Sequence, residues 1–81
     1  MIISDHARDE MGKAGISEQE LRNCLEHGEL EIKQIVAGET RYGKKLELKE
    51  KTIMIIYTIR NQEERIVTAY TIRRKKTWQK K

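Results

Sequence analysis

The sequence predicts a small α+β domain in which two N-terminal helices pack on a four-stranded antiparallel sheet, in the order α-α-β-β-β-β. Three observations predict this fold. Two capped segments of helical periodicity come first, and from Glu29 onward the apolar spacing changes to every second residue. The chain has 81 residues, which is enough for one domain and leaves no room for a second. We therefore predict a single domain over residues 1–81.

The first helix is predicted from its two ends and its apolar stripe. Ser4 and Asp5 are good N-cap residues. The residues of the stripe, spaced i, i+4 and i+7, are Ala7, Met11 and Ala14. Gly15 can adopt the positive φ that a helix C-terminus often needs, so we expect the helix to end there.

The second helix has a stronger start signal. Ser17 followed three residues later by Glu20 forms a capping box, and Ile16 can pack against Leu21 as a hydrophobic staple. The buried stripe of this helix is formed by Leu21, Cys24 and Leu25. Gly28 is expected to stop the helix.

The four strands follow as a meander. The first alternates from Leu30 to Lys33, and Ala37, Gly38 and Glu39 offer a turn into the second. Residues 52–59 are apolar on both faces, which is typical of a central strand. Polar residues 61–64 predict a hairpin loop. In the last strand, residues 65–72, simple alternation places Ile66, Thr68, Tyr70 and Ile72 on one face.

Composition excludes several classes of protein. Apolar and charged residues each make up 37% of the chain, far from a disordered composition, although a core this small supplies only ~3–5 kcal/mol. A homodimer or a protein partner would be compatible with so small a core. The longest apolar run, residues 53–57, is too short to span a bilayer, and the first residues lack the basic start and apolar stretch that are typical of a signal peptide. We expect a cytoplasmic protein without membrane attachment.

The charge is divided unevenly between the two halves of the chain. Residues 1–40 carry four basic and nine acidic side chains, whereas residues 41–81 carry thirteen basic and four acidic ones. The last nine residues, 73–81, hold six lysines or arginines and no acid, and form a basic C-terminal tail. Such asymmetry predicts a polyanion-binding surface, and the nucleic-acid-binding candidates are Arg74, Lys75, Lys76, Lys44 and Lys45. A solvated basic tail that only keeps the protein soluble is the alternative.

Metal, cofactor and cysteine chemistry have little support. Cys24 is the only cysteine, and Cys24 and His27 lack a convincing third zinc ligand. Cys24 falls on the buried stripe and no base can be assigned to it. There is no glycine-rich phosphate loop. We predict no metal site and no cofactor.

One group of residues suits phosphodiester chemistry. His6 stands at the first turn of the first helix, on the boundary between core and solvent. Thr68 and Tyr70 place two hydroxyls in the last strand, and Arg73 and Arg41 offer forked cations for phosphate oxygens. Each residue also has an ordinary interpretation: a helix-start histidine bonded to a carbonyl, and strand residues that only pack.

The two ends of the chain resemble a known family. The opening Ser4-x-His6-Ala7, with Met11 and then Gly15-Ile16-Ser17, resembles the start of a small prokaryotic domain of unknown function that is grouped with RelE-like and BrnT-like toxins. The segment Ile66-Val67-Thr68-Ala69-Tyr70 resembles its final strand. The resemblance covers residues 4–72. It implies a RelE-like or barnase-like ribonuclease fold. It also implies a site that includes His6, Thr68 and Tyr70, which match positions of the family pattern. Arg41 and Arg73 are candidates from the charge argument alone.

Together these observations predict a RelE/BrnT-like protein that acts on RNA as a metal-independent endoribonuclease toxin, ribosome-associated or free, and held in check by an antitoxin. His6 or Tyr70 would transfer protons, with His6 preferred because histidine titrates nearest neutrality. Arg41 and Arg73 would stabilise the phosphoryl oxygens, and Thr68 would orient a phosphate or base. The alternatives are a non-catalytic RNA- or protein-binding module of the same fold, and an interaction protein whose sheet edge pairs with another chain.

Overall fold

A computed structural model describes residues 1–72 of the chain and shows an α+β fold. Its elements are β1 (Ile2–Ile3), α1 (Asp5–Ala14), α2 (Glu18–His27), β2 (Glu29–Val36), β3 (Glu39–Glu47), β4 (Thr52–Arg60) and β5 (Glu63–Ile72). The two predicted helices and four predicted strands are confirmed. The basic tail predicted over residues 73–81 lies outside the described residues.

The sheet has five strands and is mixed, so the prediction of four antiparallel strands is wrong in one element. The strand order is β1-β5-β4-β3-β2. Strands β2 to β5 form the predicted antiparallel meander, and β1 pairs in parallel with β5, with Ile3 beside Ile66. A two-residue strand is too short to show any periodicity, which is why the sequence pattern did not indicate β1.

Both helices begin and end where their capping residues predict. The Ser4 hydroxyl accepts a hydrogen bond from the backbone N–H of Ala7 at 3.0 Å, and Gly15 ends α1 with φ 72°. In α2 the capping box is complete: Ser17 Oγ accepts from the Glu20 N–H at 3.1 Å, and Glu20 Oε1 accepts from the Ser17 N–H at 3.0 Å. Backbone donors left free by the first helical turn are thereby satisfied.

Hydrogen bonds from Lys51, in the loop before β4, link this loop to both helices. Its Nζ donates to the Gly15 carbonyl oxygen at 2.8 Å and to Glu20 Oε1 at 3.1 Å. The hydrogen bond from the Ser17 backbone, followed by the Lys51 ammonium, holds the pKa of Glu20 below its usual range. One lysine thus connects the end of α1, the start of α2 and the sheet.

The core lies between the helices and one face of the sheet. The largest fully buried side chains are Leu21, Ile53, Ile55, Ile66 and Cys24. The Cys24 Sγ lies 3.5 Å from the Lys44 carbonyl oxygen, and burial raises the pKa of the Cys24 thiol to about 11. Cys24 is therefore a protonated packing residue, as its place on the stripe predicts.

A β-bulge in β5 overturns the predicted alternation of that strand. Thr68 lies opposite Ile56, but Ile66 lies opposite Tyr57, so Val67 is an extra residue without a partner in β4. As a result Ile66 and Ala69, three residues apart, are both fully buried. Tyr70 is 41% exposed, so Ile66 and Tyr70 do not share a face as predicted.

Two tight turns mark one end of the sheet, which we call the hairpin end. Residues 37–38 join β2 to β3, and residues 61–62 join β4 to β5. All four turn residues have positive φ: 52° at Ala37, 79° at Gly38, 51° at Asn61 and 67° at Gln62. Positive φ at both central residues is the type I′ geometry that matches the twist of a hairpin. Because the strands form a meander, both turns lie at the same end of the sheet.

Candidate functional site

A cleft of about 350 Å³ lies where the start of α1 meets the hairpin end of the sheet. We call it the His6 cleft. Its lining residues are Ser4, His6, Glu39, Arg41, Thr58, Arg60, Arg65, Ile66 and Val67. The cleft therefore combines one imidazole, three guanidinium groups and one carboxylate.

The position of His6 is fixed by Ser4. The Ser4 N–H donates to the Ile66 carbonyl oxygen at 3.2 Å, and the Ser4 hydroxyl donates to the Val67 carbonyl oxygen at 3.3 Å. These bonds hold the first turn of α1 against the β5 bulge. His6 is exposed on that turn and makes no hydrogen bond or ion pair within residues 1–72. Its ring nitrogens are free to meet a ligand, unlike those of a helix-start histidine bonded to a backbone carbonyl.

Two of the three arginines in this cleft share a single carboxylate, that of Glu39. Arg60 Nε donates to Glu39 Oε2 at 2.9 Å, and Arg41 Nη2 lies 3.8 Å from Glu39 Oε1. Arg65 forms no ion pair with the described part of the chain. The cleft has an excess of positive charge, which favours an anionic ligand.

Arg41 has a donor without an acceptor. Its Nε is buried and makes no hydrogen bond within the described residues, although the side chain as a whole is 35% exposed. A buried donor left unsatisfied costs ~1–3 kcal/mol. Because this nitrogen has almost no exposed surface, a ligand oxygen would reach it only if the Arg41 side chain turned. Thr58, itself buried, holds β4 beside this position by donating from Oγ1 to the Thr40 carbonyl oxygen at 2.8 Å.

The structure brings together two of the five predicted catalytic residues. His6 and Arg41 line the same cleft. Thr68 and Tyr70 do not line it; they lie farther along β5, opposite Ile56 and Met54. Arg73 lies outside the described residues, as do the predicted RNA-binding residues Arg74, Lys75 and Lys76.

Lys44 and Lys45, predicted to bind nucleic acid, make contacts within the protein. Lys44 Nζ donates to the Leu25 carbonyl oxygen at 2.6 Å and lies 5.8 Å from the centre of the Tyr57 ring. Lys45 Nζ lies 3.9 Å from a Glu31 carboxylate oxygen and 3.8 Å from one of Glu47. These intramolecular partners leave both ammonium groups less available to a ligand than Arg65.

The sequence analysis missed Arg60, Arg65 and Glu39 as site residues. A signal for them was present in the turns. Arg60 precedes the turn at residues 61–62 and Arg65 follows it closely, while Glu39 follows the turn at residues 37–38. In a meander both turns lie at one end of the sheet, so these charges must gather there.

Comparison with protein families identifies the domain. The model of a domain of unknown function, DUF4258, matches residues 3–71. The chain belongs to the DUF4258 family. The match extends over every residue that lines the His6 cleft, and it ends before the basic tail. No curated protein and no solved structure matches the chain significantly.

Within residues 1–72 no group of three or more His, Cys, Asp and Glu side chains is arranged to hold a metal ion. No helix in that part of the chain is long and apolar enough to cross a membrane.

Proposed function

We propose that this DUF4258 protein binds RNA in the His6 cleft and cleaves it there as a metal-independent endoribonuclease. The observation that carries the proposal is the meeting of an unpartnered imidazole with three arginines in one cleft. A phosphodiester supplies the anion that the arginines attract, and an adjacent 2′-hydroxyl supplies the proton that an imidazole can accept.

The proposed reaction uses the nucleophile that RNA itself carries. His6 accepts the proton of the 2′-hydroxyl, and the 2′-oxygen forms a bond to the neighbouring phosphorus. The bond between phosphorus and the 5′-oxygen breaks, and that oxygen takes a proton from water. The protonated His6 imidazole then returns its proton to the hydroxide so formed. The products are a 2′,3′-cyclic phosphate and a 5′-hydroxyl end.

The arginines stabilise the charge on the phosphoryl oxygens. The exposed Arg65 guanidinium, which has no ion pair within the described residues, can bind oxygen without rearrangement of the protein, whereas the buried Arg41 Nε can do so only after its side chain turns. Thr68 and Tyr70 have no step in this proposal because they do not line the cleft. The basic residues 73–81 add sequence-independent, salt-sensitive attraction.

The chain's two histidines provide a matched test of the mechanism. His6→Ala should lower RNA cleavage by ~10²–10⁴-fold, the usual loss for a catalytic base. His27→Ala is the control, because His27 is exposed at the end of α2 and does not line the His6 cleft. Both variants should keep the wild-type melting temperature. Equal activities of the two variants, or products without a 2′,3′-cyclic phosphate, would refute the mechanism.

The resemblance of the opening motif to RelE-like and BrnT-like toxins supports a cellular role for such an activity. We propose that the protein is the toxin of a toxin–antitoxin pair. Induced expression should arrest growth, co-expression of the neighbouring open reading frame should relieve the arrest, and His6→Ala should be harmless. Harmless expression of the wild-type chain would contradict this role.

A second candidate is an RNA-binding module without catalysis. It is favoured by one observation: nothing within the described residues orients the His6 ring, as the third residue of a catalytic triad would. In this case RNA binds with strong salt dependence, but no cleavage product accumulates. The His6→Ala variant would then bind nearly as well as the wild type.

A further inference from the structure

The sheet has one face that the helices cover and one that they leave uncovered. On β4 the residues that belong to the core beneath the helices are Ile53, Ile55 and Tyr57. Successive side chains of a strand point to opposite faces. The residues of β4 on the other face, which we call the helix-free face, are therefore Met54, Ile56 and Thr58.

The β-bulge at Val67 brings a cation and an aromatic ring of β5 onto this face together. Tyr70 lies opposite Met54 and Arg65 lies opposite Thr58, so both are on the helix-free face. In a regular strand, residues five positions apart point to opposite faces. The extra residue of the bulge changes this alternation. It thereby aligns Arg65 and Tyr70 along one continuous surface.

The Tyr70 ring is available to a ligand. Tyr70 is 41% exposed and makes no hydrogen bond, ion pair or ring contact within the described residues. Its neighbours on this face, along β5 and across to β4, are uncharged: Thr68, Ile72 and Met54. Ile72 is itself 42% exposed. An exposed aromatic ring among uncharged neighbours suits the flat face of a nucleic-acid base.

Arg65 provides a cation for a phosphate on the same surface. It is exposed and has no ion pair within the described residues, and it lines the His6 cleft. The β4 residues opposite Arg65 and Tyr70 are four positions apart, which is about 13 Å at a rise of ~3.3 Å per residue. An extended RNA strand presents phosphates and bases in alternation, so a short stretch of it reaches both side chains.

We propose that the helix-free face binds single-stranded RNA along β5, with a phosphate over Arg65 and an unpaired base stacked on Tyr70. This proposal rests on the proposed function and adds the form of the substrate and a residue that selects it. Because Tyr70 lies outside the His6 cleft, the stacked base belongs to a nucleotide beside the cleaved bond. Bases within a duplex are paired and stacked on each other, so the strand must be single.

The test measures binding of a 12-mer RNA to the full chain by fluorescence anisotropy, with 2′-O-methyl groups that block cleavage. Tyr70→Ala should weaken binding by about fivefold or more, because one stacked base is lost. Tyr70→Phe keeps the ring and should bind as the wild type does. The wild type should prefer the single strand to the same strand annealed to its complement, and Tyr70→Ala should lose most of this preference.

Ile35→Ala is the control for an exposed apolar side chain on the other face. Ile35 is 73% exposed and lies opposite Thr40, which shares the face of Tyr42 and Tyr57. This variant should leave RNA affinity unchanged. All three variants should keep the wild-type melting temperature, since the side chains that they change are already in contact with solvent.

The outcomes separate this inference from the proposed function. Unchanged affinity of Tyr70→Ala, or equal losses in Tyr70→Ala and Tyr70→Phe, would overturn the stacking inference and leave cleavage in the His6 cleft intact. A preference for the single strand that survives Tyr70→Ala would also overturn it. Self-association of the wild type that Tyr70→Ala abolishes, with RNA affinity unchanged, would assign this face to a second copy of the chain instead. Absence of RNA binding by the wild type would overturn both proposals.

Discussion

Cations at the two ends of the sheet have different surroundings. Near the helices, Lys44 donates to the Leu25 carbonyl oxygen, and Lys51 donates to the Gly15 carbonyl oxygen and to Glu20. Both ammonium groups therefore stabilise the fold by completing helix ends. They are half-buried and already have acceptors.

At the hairpin end, Arg41 and Arg60 share the Glu39 carboxylate. Within the described residues Arg65 has no ion pair and the buried Arg41 Nε has no acceptor. The lining of the His6 cleft therefore carries three guanidinium groups and one carboxylate. The number of basic residues in a stretch of sequence is therefore a poor guide to a ligand site. The number of hydrogen-bond acceptors around each cation is a better guide, because it shows which cations remain available to a ligand.

The largest expected effect concerns the helix-covered part of the sheet. Ile55 is fully buried in β4, and Ile55→Ala should lower the free energy of unfolding by ~2–5 kcal/mol through lost burial and a cavity. In so small a domain this loss is a large share of the total stability. Chemical denaturation followed by circular dichroism measures it.

Ile35→Ala is the control for that prediction. Ile35 lies in β2 near the hairpin end and is 73% exposed, so its truncation should change stability by less than ~0.5 kcal/mol. Similar losses of stability in both variants would show that the helix-covered part and the hairpin end of the sheet contribute equally to the free energy of unfolding, which would contradict this prediction.

A second prediction concerns the Lys51 contacts. Lys51→Met should cost about 1 kcal/mol, because the Gly15 carbonyl and Glu20 lose a partly exposed donor. The pKa of Glu20 is depressed below its ordinary value of 4.5, so its contribution to stability is present above that pH. It is lost as pH falls through the folded-state pKa.

The pH profile gives this prediction its specific signature. Between pH 7 and pH 3, the stability of Lys51→Met should fall less than that of the wild type. Lys49→Met is the control, since Lys49 is exposed and makes no hydrogen bond or ion pair within the described residues. A parallel fall in the wild type and Lys51→Met would remove Lys51 from the titration of Glu20.

The helix-covered part of the fold was largely predictable, because local signals specify it. The capping box at Ser17 and Glu20 and the glycine at residue 15 depend only on neighbours in sequence. The bulge at Val67 was not predictable, because it depends on how β5 pairs with β4. Strict alternation therefore misplaced Thr68 and Tyr70 relative to Ile66.

The candidate site was predictable only in part. His6 follows from its place at a capped helix start and from the family resemblance, and Arg41 from the charge argument. Whether an arginine is free or paired depends on residues distant in sequence, as with Arg60 and Glu39, which are 21 positions apart. Charge patterning therefore selected Lys44 and passed over Arg65, although only Lys44 has a partner within the described chain.

A third prediction removes the carboxylate that competes with a ligand. Glu39→Gln should tighten RNA binding by ~2–5-fold. In the wild type a phosphate must compete with the Glu39 carboxylate for the arginines, and an ion pair of this kind contributes ~0.2–1 kcal/mol. The glutamine variant has no such competing charge. Glu31→Gln is the matched control: it removes the same charge from β2, beside Lys45 and outside the His6 cleft. Unchanged affinity of Glu39→Gln, or an equal gain in both variants, would contradict a competing role for Glu39.

The smallest expected effect concerns the turn at the hairpin end. Ala37 has φ 52°, which asparagine tolerates better than alanine, so Ala37→Asn should stabilise the protein by ~0.5 kcal/mol. Ala14→Asn, in the last turn of α1, should instead lower the melting temperature because asparagine is a poorer helix former. Thermal melts measure the melting temperatures of both variants. A lower melting temperature for Ala37→Asn would contradict the positive φ at residue 37.

The most direct test of the account compares two single arginine substitutions of equal charge. Arg65→Gln removes an unpaired guanidinium from the His6 cleft, whereas Arg22→Gln removes one from α2 that lies 3.3 Å from Glu18. The measurement is RNA affinity of the full chain as a function of salt concentration. We predict that Arg65→Gln weakens binding and reduces the salt slope by about one, and that Arg22→Gln leaves both unchanged. Equal losses from both variants would show that RNA responds only to net charge and would contradict a binding site at the hairpin end.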